Sequence, residues 1–142
     1  ERAGGVPNGE LVRLCYSGKY TEKEMIKQLV GKAGFNAYCG SNDARDIEAM
    51  AKNGDKHAQL VFDAFLYQVS KDIGAQAAVL SGKVDQIILT GGIAYGKYAT
   101  EEITKRVQFI APVTVYGGED ELLALAQGAL RVLNGEEEAK VY

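Results

Sequence analysis

Three short stretches of this 142-residue chain carry residues whose types and spacing could do chemistry. The first runs from Val84 to Ile93, where a β-branched apolar run stops at Thr90-Gly91-Gly92-Ile93 and a helical pattern opens about eight residues later. Strand, glycine turn and helix in that order is the layout with which α/β proteins bring backbone against a nucleotide. Gly91 and Gly92 lack a Cβ, so they tolerate positive φ and let a flat ligand lie directly on the chain. The same turn taken alone serves equally well as a tight strand–helix bend. The second stretch is Ser41-Asn42-Asp43-Ala44-Arg45-Asp46, polar groups crowded at an expected helix start just after Gly40. The third is Gly117-Gly118-Glu119-Asp120-Glu121, at the end of a second expected strand. Both glycine turns fall at the carboxyl ends of strands read as parallel, which is where open α/β sheets bind ligands. Plainer roles exist for each: Asp43 and Arg45 as a cap and a surface ion pair, the acidic triplet as a complement to a helix dipole.

The elements that must position these residues divide the chain into two stretches, a helical one over about 1–81 and a strand–helix–strand–helix run over about 84–134. Residues 1–142 are read as one unit. In the first stretch Glu10 to Tyr16 makes a short helix, and Thr21-Glu22-Lys23-Glu24 is a capping box. Met25, Ile26, Leu29 and Val30 then form one apolar face, and Gly31 ends that helix. A glycine-spaced link over 34–40 leads to Ser41-Asn42-Asp43, which starts a helix through Met50. After Asn53-Gly54-Asp55 the longest helix reaches about Leu80, with Leu60, Val61, Ala64, Phe65, Val69, Ile73, Ala77 and Leu80 at helical intervals. Phe62, Leu66 and Tyr67 widen that face, which points to burial on more than one side.

The second stretch changes period. Asp85 to Thr90 reads as a strand covered on both faces, and Thr100 to Phe109 as a helix with acids first and Lys105-Arg106 late. Ala111 to Tyr116 is a second strand with Pro112 near its start. Glu119 to Leu133 is a closing helix whose apolar face is Leu122, Leu123, Leu125, Ala126, Ala129, Leu130 and Leu133. Asn134-Gly135 ends it, and a charged tail follows. The fold class is therefore α/β, with a right-handed strand–helix–strand unit. Two strands make a poor sheet, so their apolar faces call for partner strands.

Composition bounds the rest. A net charge of −3, with no basic stripe, argues against a dedicated nucleic-acid binder, and no apolar run is long enough to span a membrane. Cys15 and Cys39 are too few and too far apart for a zinc site or a disulfide framework and are expected as buried, reduced thiols of a cytoplasmic protein. His57, on a helix after a loop, reads as a surface or partly buried residue rather than a catalyst, and the eight tyrosines mostly as core or helix-face residues. The start, Glu1-Arg2-Ala3-Gly4-Gly5, has no initiator Met and no signal-peptide pattern, and reads as a piece of something longer.

Four motifs in order carry a family resemblance: Glu-Arg-Ala-Gly-Gly-Val-Pro from Glu1, Gly-Ser-Asn-Asp-Ala-Arg-Asp-Ile from Gly40, Ile-Ile-Leu-Thr-Gly-Gly-Ile-Ala-Tyr from Ile87, and Ala-Pro-Val-Thr-Val-Tyr-Gly-Gly-Glu-Asp-Glu-Leu from Ala111. Along essentially its whole length the chain resembles the C-terminal part of butyrate kinases, within the acetate kinase family of acyl kinases. The resemblance implies the C-terminal part of an actin-like (ribonuclease H-like) ATPase domain, helix-rich, with a short parallel sheet lacking its N-terminal partner strands. It implies reversible transfer of the γ-phosphoryl of ATP to a short carboxylate such as butyrate, giving an acyl phosphate and ADP with Mg²⁺. A homo-oligomer is expected, with no nucleic-acid or membrane partner.

Carried over residue by residue, Gly91, Gly92 and Ile93 look like the adenosine motif. At Gly96 the family often has Asn, so a side-chain contact to the nucleotide there is lost or replaced. Asp43, Ala44 and Arg45 look like the segment that closes over the adenine and ribose, although acetate kinases commonly carry a larger side chain at Ala44. Glu121 or Glu119 looks like the carboxylate that orients Mg²⁺. Arg2 resembles an active-site arginine, and a guanidinium that forks two phosphoryl oxygens suits transfer between two anions better than any nucleophile in this chain. By the same resemblance the phosphate-binding loops, the catalytic Asp and most of the acyl pocket precede Glu1, so the fragment alone is expected to be inactive but able to bind ADP. Two other readings stand beside this one. They are a non-catalytic helical interaction module, and another actin-like kinase, such as one acting on a sugar, which would lack the Asp-Ala-Arg segment in this order.

Overall fold

Glycines and capping residues cut the first eighty residues into five helices. A computed structural model describes residues 1–118 and 120–140. Helix α1 spans Asn8–Cys15 and α2 spans Glu22–Leu29. The capping box of α2 forms as expected: the Thr21 hydroxyl accepts from the Glu24 amide at 3.4 Å while Glu24 Oε2 accepts from the Thr21 amide at 2.8 Å. Of its expected apolar face only Met25 is buried; Ile26 and Val30 are exposed.

The expected glycine-spaced link over 34–40 is instead a helix, α3, Gly34–Cys39, closed by Gly40 in the left-handed region at φ 76°. Tertiary packing overrides glycine propensity here. The Phe35 ring lies 4.9 Å from Phe65 and 5.9 Å from Phe62, and that apolar contact draws the segment onto the next long helix. Helix α4, Ala44–Lys52, starts at Asp43, whose carboxylate accepts from the Arg45 amide at 2.9 Å. Helix α5, Lys56–Val79, starts at Asp55, which accepts from the His57 and Ala58 amides at 2.9 and 3.0 Å.

The core face of α5 is Ala58, Phe62, Leu66 and Ser70. Phe65, Val69 and Ile73 of the expected face are half-buried against the core, Phe62 and Leu66 beside them are fully buried, and Leu60, Tyr67 and Leu80 are exposed, so the buried stripe is shifted toward Phe62 and Leu66. The cause is the placement of neighbours, since α4 packs along this side of α5. Ser70 is accommodated because its hydroxyl donates to the Leu66 carbonyl at 2.8 Å.

Strand β1, Ile87–Gly91, and strand β2, Val113–Gly117, pair in parallel with Ile87 opposite Val113 and Gly91 opposite Gly117. A 3-10 turn, Gly92–Tyr95, and helix α6, Lys97–Val107, connect them. Helix α6 buries Ala99, Ile103 and Val107 and packs on α5, joining Ile47, Ala58, Phe62, Leu66, Ile87 and Ala111 in a single core. The sheet is covered on one face only: Ile87 is buried and Ile88 is 60% exposed, which corrects the two-sided expectation. Helix α6 also opens three residues before Thr100, so Glu101 and Glu102 miss the first turn. Glu102 pairs instead with Lys105 and Arg106, at 2.6 and 2.8 Å.

Helix α7 is Glu121–Leu133, ended by Asn134 and Gly135 as expected. It does not close over the core: Leu122, Leu123, Leu125, Leu130 and Leu133 are all exposed, because no described element lies against them. Cys15 is also exposed, against the expectation of a buried thiol, while the half-buried Cys39 is pushed up in pKa by burial and by Asp55. Among the described residues no helix is long and apolar enough to cross a membrane.

Candidate functional site

The carboxyl end of β1 opens into a cleft of about 1000 Å³. That volume is of the order taken by small-molecule sites. Its floor is Thr90, Gly91, Gly92 and Ile93, continuing to Tyr95 and Gly96. Gly91 sits at φ 86°, ψ −178°, a backbone region essentially reserved for glycine, and it lets the chain leave the strand and enter the 3-10 turn at once. A Cβ on Gly92 would meet no protein atom within 4 Å, so the backbone there is bare toward the opening.

The opposite wall comes from far away in sequence. Asn42, Asp43, Ala44, Arg45 and Glu48, from the start of α4, line it together with Glu1. Phe35 of α3 and Phe62 and Phe65 of α5 supply an apolar back. The structure thus brings the second sequence stretch, Asp43-Ala44-Arg45, onto the same cleft as Gly91, Gly92, Ile93 and Gly96. Asp43 takes the Arg45 guanidinium at both oxygens, through Nε at 3.0 and 3.1 Å and Nη2 at 2.5 Å. That hydrogen bonding, with the Arg45 amide, holds the Asp43 carboxyl down at about 2.

The third stretch supports the cleft rather than lining it. Gly91 and Gly118 exchange backbone hydrogen bonds at 3.1 Å in each direction. The Tyr95 ring covers Gly117 and Gly118, where a Cβ on Gly117 would approach it to 2.8 Å. Glu121, the first residue of α7, is exposed and is absent from the cleft wall; Glu119 lies outside the described residues. Arg2 is exposed too. Its backbone pairs with Val30, the neighbouring Glu1 carbonyl accepts from the Gly31 and Ala33 amides, and the cleft is reached by Glu1 rather than by Arg2.

These residues fit a nucleoside: a bare glycine backbone, an aromatic and aliphatic back wall and a few polar side chains at the rim. They do not by themselves fit a metal ion, since no three His, Cys, Asp or Glu side chains converge among the described residues. No local signal marks Phe35, in a segment that reads as a link, or Glu48, which looks like any surface residue of an amphipathic helix. Phe62 and Phe65 read as residues of a helix face without their cleft role. Only the three-dimensional meeting of α3, α4 and α5 marks them.

The model of the acetokinase family matches residues 1–139. Butyrate kinase 2 of Clostridium acetobutylicum is 61% identical over all 142 residues, and a probable butyrate kinase of Clostridium botulinum is 56% identical over the same span. This chain spans 40% of the length of each. In structure it resembles Porphyromonas gingivalis acetate kinase, with a TM-score of 0.79 and 24% identity over 93% of this chain and 39% of that one. A propionate kinase from Francisella tularensis has a TM-score of 0.74 and 20% identity over 86% of this chain and 37% of its own. These likenesses show the fold of the acetate kinases. A match that begins at the first residue and runs almost to the last leaves one conclusion: the chain belongs to the acetokinase family.

Proposed function

We propose that this chain is the nucleoside-holding part of an acyl kinase that moves the γ-phosphoryl of ATP reversibly to butyrate or a similar short carboxylate. The observation that carries the reading is the meeting of Asp43-Ala44-Arg45 with Gly91, Gly92, Ile93 and Gly96 across one cleft, though some fifty residues separate them in sequence. In this reading the glycine backbone carries the adenosine and the start of α4 borders the base and ribose. ATP, when bound, would supply the phosphoryl group, and Mg²⁺ would offset the charge of its phosphates. Arg2 is the cation assigned to the transferring group, and Glu121 or Glu119 the carboxylate assigned to the metal. The site is assigned to the cytoplasm, where ATP is abundant and Cys15 and Cys39 remain thiols. The bare leucines of α7 favour a homo-oligomer.

Titration of the 142-residue chain with ADP tests the nucleoside cleft. Saturable binding is expected. Gly92→Leu should weaken it at least about tenfold with no loss of thermal stability, because a side chain there meets only open space. The same chain mixed with ATP, Mg²⁺ and butyrate should form no butyryl phosphate. Turnover by the isolated chain would defeat that part of the assignment.

A further inference from the structure

Three carboxylates line the cleft, each already with one partner, and they differ in how far their side chains are buried. Glu1 Oε1 accepts from Asn42 Nδ2, and both oxygens of Asp43 hold the Arg45 guanidinium. Glu48 is different. Its Oε1 pairs with Lys52 Nζ at 2.8 Å, one turn further along α4. Its Oε2 lies beside Gly96, 3.6 Å from where a Cβ on that glycine would stand, and no hydrogen bond to it occurs among the described residues. The side chain is 18% exposed, whereas Lys52 is 69% exposed, so the cation faces water and the carboxylate faces the cleft.

A ligand that closes the cleft over Glu48 would strip water from Oε2. That costs free energy unless the ligand offers a donor in its place. An ionised carboxylate only accepts, and it repels phosphate oxygens and carbonyl oxygens alike. Resting on the nucleoside reading above, we propose that Glu48 Oε2 receives a neutral hydrogen-bond donor of the nucleoside, the exocyclic amine of the base or a ribose hydroxyl, and so sets which nucleotide the cleft takes. The absence of a side chain at Gly96 keeps the approach to that oxygen open. Lys52 fixes the other oxygen and keeps the charge balanced without entering the cleft wall.

The test is a set of equilibrium titrations of the chain with ADP, inosine diphosphate, 2′-deoxy-ADP and 3′-deoxy-ADP. Wild type should bind the analogue lacking the relevant donor about tenfold more weakly than ADP, the usual scale for a hydrogen bond to a charged group. An amine partner is exposed by inosine diphosphate, a ribose partner by a deoxy analogue. Glu48→Ala should weaken ADP by a similar factor and erase the discrimination. Glu48→Gln keeps the shape but can also donate. It should close or reverse the gap between ADP and inosine diphosphate if the amine is the partner, and preserve the deoxy gap if the ribose is. Thermal unfolding of both variants checks that they fold, and Glu48→Ser, which also removes the acceptor at that reach, serves if the alanine one does not. ADP binding with the wild-type discrimination unchanged in both variants overturns the role of Glu48 alone, as does wild type that binds ADP and all three analogues equally. Failure of wild type to bind ADP at all removes the nucleoside reading and this inference with it.

Discussion

Tyr98 shows how one polar atom is kept within an apolar wall. Its hydroxyl donates to Asp63 Oδ1 at 2.7 Å, Gln59 Nε2 donates to the same oxygen at 2.9 Å and to the Tyr98 oxygen at 3.1 Å, and the ring stacks on Phe62 at 6.1 Å. The hydrogen bond to Asp63, with burial and the nearby negative charge, pushes the phenol up to about 12. Folding thus favours the protonated phenol, whose unfolded value is about 10. Its contribution to stability is complete below about pH 10 and is lost as the pH climbs from there toward 12. Tyrosinate absorbance should accordingly show a late phase near pH 12 that Tyr98→Phe removes. The same variant should lose about 1–2 kcal/mol at neutral pH, because Asp63 forfeits a donor. A titration identical in wild type and variant would contradict the assignment. The phenol and Asp63 join α6 to α5 just behind the cleft, since Phe62 and Ala99 both line it.

At the scale of elements, the junction of β1 with the 3-10 turn is the most constrained point of the site. Gly91 holds φ 86° with an extended ψ, while Gly92 beside it has an ordinary backbone and open space around its missing Cβ. Two adjacent glycines therefore do different work. Gly91→Ala should cost about 1–3 kcal/mol in urea unfolding, through backbone strain. Gly92→Ala should stay within about 0.5 kcal/mol of wild type. Equal effects at the two positions would mean that the turn relaxes freely. That a glycine turn ends β1 was legible from Thr90-Gly91-Gly92, because a β-branched run interrupted by two glycines has few other local solutions. Which glycine bears the strained angle was not, since it depends on how Gly118 pairs back with Gly91.

For the whole molecule, the free energy of folding is concentrated on one side of a two-stranded sheet. The core gathers α4, α5, α6 and the inward face of β1, while the outward face and α7 contribute little. Leu66, fully buried, and Leu125, 64% exposed, are the same residue in opposite situations. Leu66→Ala should cost about 2–5 kcal/mol and Leu125→Ala less than about 0.5 kcal/mol, measured by denaturant unfolding of the chain. A large loss at Leu125 would show that α7 docks on the core in solution. The last helix forms where the sequence expects it, and its leucines are nevertheless exposed. An amphipathic pattern states that a face is to be covered, but not by what.

The sequence by itself determined where α2 and α4 begin and where α7 ends, through Thr21 and Asp43 as caps and Gly135 as a stop, because capping is settled within one turn of chain. It also carried the order of motifs by which the family is recognised. Only the tertiary structure decided that 34–39 is helical, that α5 turns Phe62 and Leu66 inward, and that Glu48 lies beside Gly96 in one cleft. These outcomes depend on contacts between residues tens of positions apart. Such contacts form when apolar surfaces find one another in space, and no local preference encodes them.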